Sequence, residues 1–371
     1  MTGQSINNEG SGAGSLTPAE TGHSIMQPFG MTLIMPVHGP LSLSALALRS
    51  LAALSPPPEQ FVIVMDVPPD AADSVLLPAG AIVVQVPYAS GPARARNAGA
   101  EAVSSGLLLF IDADVVVPPD TVSRVKNEFM WNPGVSALFG SYDTMPGDPN
   151  FLSQYRNLMH HFVHQRANDV AGTFWGGLGA IWTEAFWSVG GFNESYGVPS
   201  IEDIELGVRL RAAGCKIRLV KDLQGCHLKR WTVFGMLKTD LWQRGVPWMR
   251  LILARGRIPS DLNTGWSSRW STALAWCGVM VLPWAWSDAL WSAVAIIFLG
   301  MMLALNLSFY RFLANERGIV FALHSMPWHV LYFLECGLAG VIGLFLHFRD
   351  RFFNLKTELI VSSIKSRDYT A

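Results

Sequence analysis

Leu107-Leu108-Leu109-Phe110-Ile111-Asp112-Ala113-Asp114 runs five apolar residues straight into two carboxylates separated by one alanine. An unbroken apolar run of that length reads as a strand covered on both faces, as in a parallel sheet flanked by helices. The carboxylates then fall at the strand's carboxyl end, where open α/β sheets take their ligands. Two acids that close repel unless a cation sits between them or one takes a proton. The pair therefore reads as a divalent cation site that holds a diphosphate.

Upstream, strand and helix patterns alternate. Met31 to Val37 is an apolar strand closed by His38-Gly39-Pro40, and Leu41 to Leu54 has helical spacing ending at Pro56-Pro57-Pro58. Phe61 to Met65 and Ala81 to Val86 are further strands, and Pro92 to Ser105 reads as a helix. This alternation predicts βαβ units and a mostly parallel sheet, an α/β fold. A second half, from about Asp120 to Trp231, holds a helix over Phe151 to Asn168 and a Gly-rich aromatic stretch, Thr173 to Ala180. An acidic helix start at Ile201-Glu202-Asp203 follows.

Composition changes the picture beyond Trp231. The 371 residues are 50% hydrophobic and only 15% charged, against roughly a quarter charged in a soluble domain. Part of the chain is thus expected in lipid. The net charge of −1 gives no global field for nucleic acid, which is not an expected partner. Val233 to Ile258 mixes Trp, Leu and Met with Lys238, Arg244, Arg250, Arg255 and Arg257, a basic amphipathic segment suited to anionic lipid. Three apolar runs follow: Ser271 to Trp286, Ala289 to Leu307 and Trp328 to Leu346, each approaching the roughly 20 residues that span a bilayer.

Three crossings would place Arg311 and Arg317 inside but Arg349, Arg351 and Lys356 outside, against the positive-inside preference. A re-entrant pair broken at Met326-Pro327 would keep both clusters inside, so the number of crossings stays open. The resulting division is a disordered tail over 1–29, a catalytic domain over 30–231 and an interfacial segment over 232–269. A membrane region of about three helices over 270–348 and a polar tail over 349–371 complete it. No basic-then-apolar leader opens the sequence, so the body is expected on the cytoplasmic side. The four cysteines lack CxxC spacing, which argues against a disulfide framework or a zinc knuckle.

In order along the chain stand Asp66 after a strand, Asp112-Ala113-Asp114 after another, Val189-Gly190-Gly191-Phe192-Asn193-Glu194, Glu202-Asp203 opening a helix, and His227-Leu228-Lys229-Arg230-Trp231 before the apolar runs. The set resembles the family-2 inverting glycosyltransferases of GT-A fold. Within them it is similar to the membrane-attached branch that includes ceramide glucosyltransferases and polysaccharide synthases. The resemblance implies a UDP- or GDP-linked sugar donor, Mg²⁺ or Mn²⁺, and a lipid or lipid-linked acceptor. It also implies an integral membrane protein whose catalytic domain faces the cytoplasm, at the inner or plasma membrane in a bacterium. A processive polysaccharide synthase and a non-catalytic sugar-nucleotide-binding assembly protein are the alternatives.

The resemblance also assigns roles. Asp66 contacts the base, or only caps its turn. Arg94, or Arg96 two residues on, neutralises a phosphate or holds Asp112. Asp112 contacts ribose or base, and Asp114 binds the metal, with His227 as a further ligand where the family carries Gln. Glu202 and Asp203 are the acidic pair, with Asp203 as the general base; both also favour a helix N-terminus. Arg230 contacts the diphosphate and Trp231 lines the acceptor pocket. Trp175 contacts sugar or acceptor, or packs in the core. His160 and His164 share a helix face, but no third ligand at zinc-like spacing follows.

Overall fold

The computed structural model describes residues 29–69, 73–104, 106–256 and 264–353. The expected tail before Phe29, Arg257, Lys356 and the polar tail from residue 354 lie outside the described residues.

Strands β1 (Met31–Val37), β2 (Gln60–Met65), β3 (Ile82–Gln85) and β4 (Leu107–Ile111) alternate with helices α1 (Ala45–Ala52) and α2 (Pro92–Glu101). They form the parallel half of the sheet in the order β3-β2-β1-β4. All five residues of β4 are buried, because β4 lies mid-sheet with helices on both faces. Leu109 is level with Leu33 of β1 on one side and with Ala180 on the other. Leu33, Leu109 and Ile111 pack with Leu48 and Leu51 of α1. Alternate residues Leu108 and Phe110 face the opposite layer with Ala93 and Ala100 of α2, the period-two alternation of a strand. Each such fully buried side chain contributes roughly 1.5–3 kcal/mol.

After β5 (Val115–Val116) and α3 (Thr121–Trp131) come β6 (Ala137–Tyr142), α4 (Phe151–Arg166) and β7 (Val170–Ala171). The domain closes with β8 (Leu178–Trp182), α5 (Thr183–Ser188), α6 (Glu202–Ala212) and β9 (Ile217–His227). The strand order continues β4-β8-β6-β9-β5, with β7 also on β9. Here the parallel expectation gives way. β8 runs antiparallel to both β4 and β6, so the sheet is mixed. Gly179 lets the preceding segment fold over β8: a Cβ there would lie 2.3 Å from the Trp175 carbonyl and 2.5 Å from the Phe174 ring.

Beyond the domain, α7 (Val233–Lys238), a π-helical turn (Thr239–Gly245) and α8 (Val246–Arg255) run against the catalytic half. Helices α9 (Trp266–Val281), α10 (Ala289–Leu305), α11 (Leu307–Arg317) and α12 (Ile319–Phe352) follow. α12 is long and apolar enough to cross a membrane; α10 and α11 reach that length only as a pair bent by 64°. The alternative of a break at Met326-Pro327 is excluded, since α12 runs through Pro327 without interruption. A proline costs the helix one N–H, and the long flanking turns carry the element past it.

α6 approaches the 173–174 segment so closely that a Cβ on Gly207 would sit 2.1 Å from the Phe174 nitrogen and 2.4 Å from the Thr173 carbonyl carbon. Backbone cannot yield as a flexible side chain would. Gly207→Ala is expected to destabilise the domain by about 1–3 kcal/mol, read as a lowered melting temperature, whereas Gly172→Ala, with open space around it, leaves the melt nearly unchanged.

Candidate active site

The carboxyl end of β4 delivers Asp112 and Asp114 into a cavity of about 1010 Å³. The turn between them is fixed by its backbone. Asp112 N–H donates to the Gly177 carbonyl at 3.1 Å, and Val115 N–H to the Asp112 carbonyl at 3.0 Å. Antiparallel pairing of Val115 with His227 then brings the end of β9 alongside, and Leu228 N–H donates to the Asp114 carbonyl at 2.8 Å. His227 Nε2 stands 3.4 Å from Asp114 Oδ2. Its ring stacks on Tyr142 at 4.2 Å and 12°, which holds the imidazole edge toward the carboxylate. Burial works against ionised Asp114, yet His227 and Lys229 hold its carboxyl below the ordinary range.

Arg96 ties the strand end to α6. Its Nη2 donates to Asp112 Oδ1 at 2.6 Å and its Nη1 to Glu202 Oε1 at 2.9 Å. Arg94, the alternative at sequence level, is exposed and off the cavity. Two residues along a helix turn about 200°, so only one of the pair can face inward. Asp203, next on α6, opens into the cavity and accepts from Gly176 N–H at 3.1 Å. Burial, with the Glu202 carboxylate beside it, pushes its pKa up to about 6.

At the other end of the cavity Asp66 accepts from Gly39 N–H and Ala89 N–H, each at 3.0 Å, and meets His38 Nδ1. Both readings of Asp66 are thus compatible: it caps its turn and still lines the cavity.

The chain leaving β9 stays extended, and alternation decides which side chains enter. His227, Lys229 and Trp231 line the cavity. Arg230 points outward, its side chain 75% exposed and 3.8 Å from Asp148. The expected diphosphate contact by Arg230 is therefore not formed at this position, and Lys229 takes the inward place. The Lys229 ammonium lies 4.2 Å from the centre of the Trp231 ring. Trp175 lines the cavity and meets Tyr142 edge-to-face at 4.8 Å. His160 and His164 pack with Trp175 at 5.2 and 5.7 Å. Burial drives His160 well below its ordinary pKa and His164 to about 4, so both are neutral ring contacts.

Four inward groups escaped the sequence reading, Lys229 among them. Tyr142 ends β6, Arg244 sits on the π-helical turn, and Arg156 of α4 pairs with Asp240. The alternation through 227–231 was the available signal for Lys229; the others depend on register and on a π-turn that local sequence does not announce.

Among the described residues no group of three or more His, Cys, Asp or Glu is gathered to hold a metal. Asp114 and His227 supply one carboxylate and one imidazole. A hard divalent cation keeps several waters and takes its remaining oxygens from phosphate, so these two residues fit a cation shared with a diphosphate.

An α/β domain with paired carboxylates at a central strand end and an acidic helix start across the cavity has the form of a GT-A glycosyltransferase. Residues 32–190 match the family model "Glycosyl transferase family 2", and residues 156–231 match "N-terminal domain of galactosyltransferase". No curated protein matches it. Among solved structures, S. aureus TarS 1-349 is 16% identical with a TM-score of 0.44, covering 61% of this chain and 64% of that one, less than two thirds of its length. TarS 1-349 is also known in complex with UDP. Mannosyltransferase PcManGT from Pyrobaculum calidifontis, in complex with GDP-Man and Mn2+, is 15% identical with a TM-score of 0.42, covering 89% of both chains.

Arg96 is buried against two carboxylates. Arg96→Met leaves both unpaired and is expected to cost about 3–5 kcal/mol, measured by thermal unfolding. If Asp203 acts as a base, it works only as the carboxylate. With its pKa raised to about 6, the turnover rate is expected to fall as pH drops through 6, about two units above where an exposed aspartate near 3.9 would lose charge; a pH–rate profile reads this directly.

Proposed function

We propose that the protein is a membrane-attached inverting glycosyltransferase that moves a sugar from a UDP- or GDP-linked donor to a lipid or lipid-linked acceptor at the cytoplasmic face of a membrane. The observation that carries this reading is the reach of a single cavity. It runs from Asp66 past Asp112, Asp114 and Asp203 to Thr272 of α9 and Gly340 of α12. A water-soluble donor and an acceptor with an apolar tail can meet there without leaving their own phases.

Asp66 sits where the base would bind, and Asp112, braced by Arg96, where the ribose would. Asp114 with His227 would hold Mg²⁺ or Mn²⁺, which when bound stabilises the charge growing on a departing nucleoside diphosphate. Lys229 and Arg244 donate no hydrogen bond among the described residues, Lys229 acting on Asp114 only through its charge, and both line the cavity. They are free to face phosphate oxygens. Trp175 offers an aromatic face to the sugar. Asp203 takes the proton of the acceptor hydroxyl as its oxygen attacks the anomeric carbon. Direct displacement inverts that carbon, so one base suffices and no carboxylate nucleophile is needed.

The test is to incubate membranes carrying the protein with a panel of UDP- and GDP-sugars plus Mg²⁺ or Mn²⁺. Released nucleoside diphosphate and labelled lipid are then measured. Label in lipid from one donor supports the reading; soluble product of long chain length from one sugar nucleotide would replace it with a processive synthase. Asp203→Asn is expected to bind donor with metal as the native protein does while transfer falls by about 10²–10⁴-fold. Transfer at the native rate would remove Asp203 from the role of base.

A further inference from the structure

α12 is about 51 Å long at 1.5 Å per residue, and a helix crossing a bilayer separates its ends by a hydrocarbon core of about 30 Å. Only one end could then touch a domain on one side. Here the first half of the helix touches the catalytic half, and the rest touches the π-helical turn and α8 that pack on it. Just before it, Arg317 Nε donates to Gln154 of α4 at 2.9 Å and its Nη2 to the Thr144 carbonyl. Phe321 meets Phe151 at 4.9 Å. Midway, the Arg156 guanidinium stands 5.9 Å over the Tyr332 ring. Further on, Gly245 approaches Ala339 so closely that an added Cβ would lie 2.7 Å from that methyl group. At the far end Asp350 accepts from Arg250 of α8 at 2.6 Å. α8 is itself held to α6 by Arg255, which donates to the Val208 carbonyl at 2.8 Å.

The two faces of α12 differ accordingly. Ser325, His329, Glu335 and Asp350 are buried inward. Val341, Phe345, Phe348 and Phe352, spaced four, three and four residues apart, are exposed on the outer side, as are Val320 and Leu323. The α9–α10 pair behaves consistently with this. Its helices are about 24 and 26 Å long, short of the hydrocarbon thickness, and its turn exposes Trp284 and Trp286. Asn306 Nδ2 donates to Ser271 Oγ at 2.8 Å and closes the base of the pair. After the 64° bend, α11 places Phe309 and Tyr310 against Tyr155 and Leu158 of α4. The chain leaves the catalytic half and returns to it.

We propose that the protein is monotopic: one leaflet of an anionic bilayer covers the outer face of α12, the α9–α10 hairpin dips into that leaflet, and no segment crosses. The inference rests on the membrane attachment proposed above and goes beyond it. Charge complementarity selects the occupant. Exposed Lys238, Arg311, Arg349 and Arg351 lie on α7, α11 and the end of α12, the elements next to the proposed bilayer contact, where anionic headgroups would attract them. Single-sided attachment also removes the conflict in which three crossings would carry Arg349 and Arg351 away from the cytoplasm.

The test uses the full chain in sealed membrane vesicles of both orientations, a membrane-impermeant maleimide, and peptide mass spectrometry to locate the label. Glu101→Cys, on the exposed side of α2, marks the catalytic side. Phe353→Cys is expected to be labelled in the same vesicle population as Glu101→Cys. Ser287→Cys, in the hairpin turn, is expected to be labelled from neither side until detergent is added. Label at Phe353→Cys only in the opposite population means that α12 crosses, and label at Ser287→Cys from the opposite side means that the hairpin crosses; either overturns the proposal. A native chain with a C-terminal epitope, read by antibody in the same vesicles, gives the α12 result without a substitution at the helix end. Recovery of the native chain in the soluble fraction would remove the membrane attachment itself, and the inference with it. None of these outcomes depends on turnover, so a failure of the catalytic assignment is read separately.

Discussion

One buried guanidinium organises the catalytic half. Arg96 reaches from α2 to Asp112 at the end of β4 and to Glu202 at the start of α6. A buried cation with two carboxylates is stable only while all three remain hydrogen-bonded, because removing one leaves the others desolvated and uncompensated. Glu202 meets its share by also accepting from Ser200 N–H at 2.9 Å. The bridge sets the distance between the end of β4 and the helix that carries Asp203.

A second buried pair connects this half to the C-terminal helices. Arg156 of α4 and Asp240 of the π-helical turn are joined by a hydrogen-bonded ion pair, with Tyr332 and Glu335 of α12 lining the same part of the cavity. π-turns recur at functional sites because the extra residue shifts side chains out of helical register. Here the turn carries Asp240 inward to Arg156 and Arg244 to the cavity. The C-terminal helices therefore form a wall of the cavity.

The extent to which this was legible differs by level. The Leu107–Asp114 run identified a covered central strand because burial on both faces leaves an unmistakable apolar signature. The alternating strands and helices before it became the parallel half of the sheet. The antiparallel insertion of β8 was not visible, since Gly-rich sequence around 176–179 permits close approach without saying which strand approaches. Among site residues, Asp66, Asp112, Asp114, Trp175, Glu202, Asp203, His227 and Trp231 converge on one cavity. Arg94 and Arg230 do not. Both differences are ones of phase. Helix rotation turns Arg96 rather than Arg94 to the cavity, and strand alternation turns Lys229 rather than Arg230. The face a residue presents depends on packing that is not local.

The proposed function requires a metal–diphosphate donor between Asp114, His227 and Asp66, facing Asp203 across the cavity. A structure of the full chain with a nucleoside diphosphate and Mn²⁺ decides this. The expected result has the ion bonded to Asp114 and His227, the diphosphate between it and Lys229 and Arg244, and the base at Asp66. An ion that contacts neither Asp114 nor His227, or a nucleotide bound away from this cavity, would contradict it.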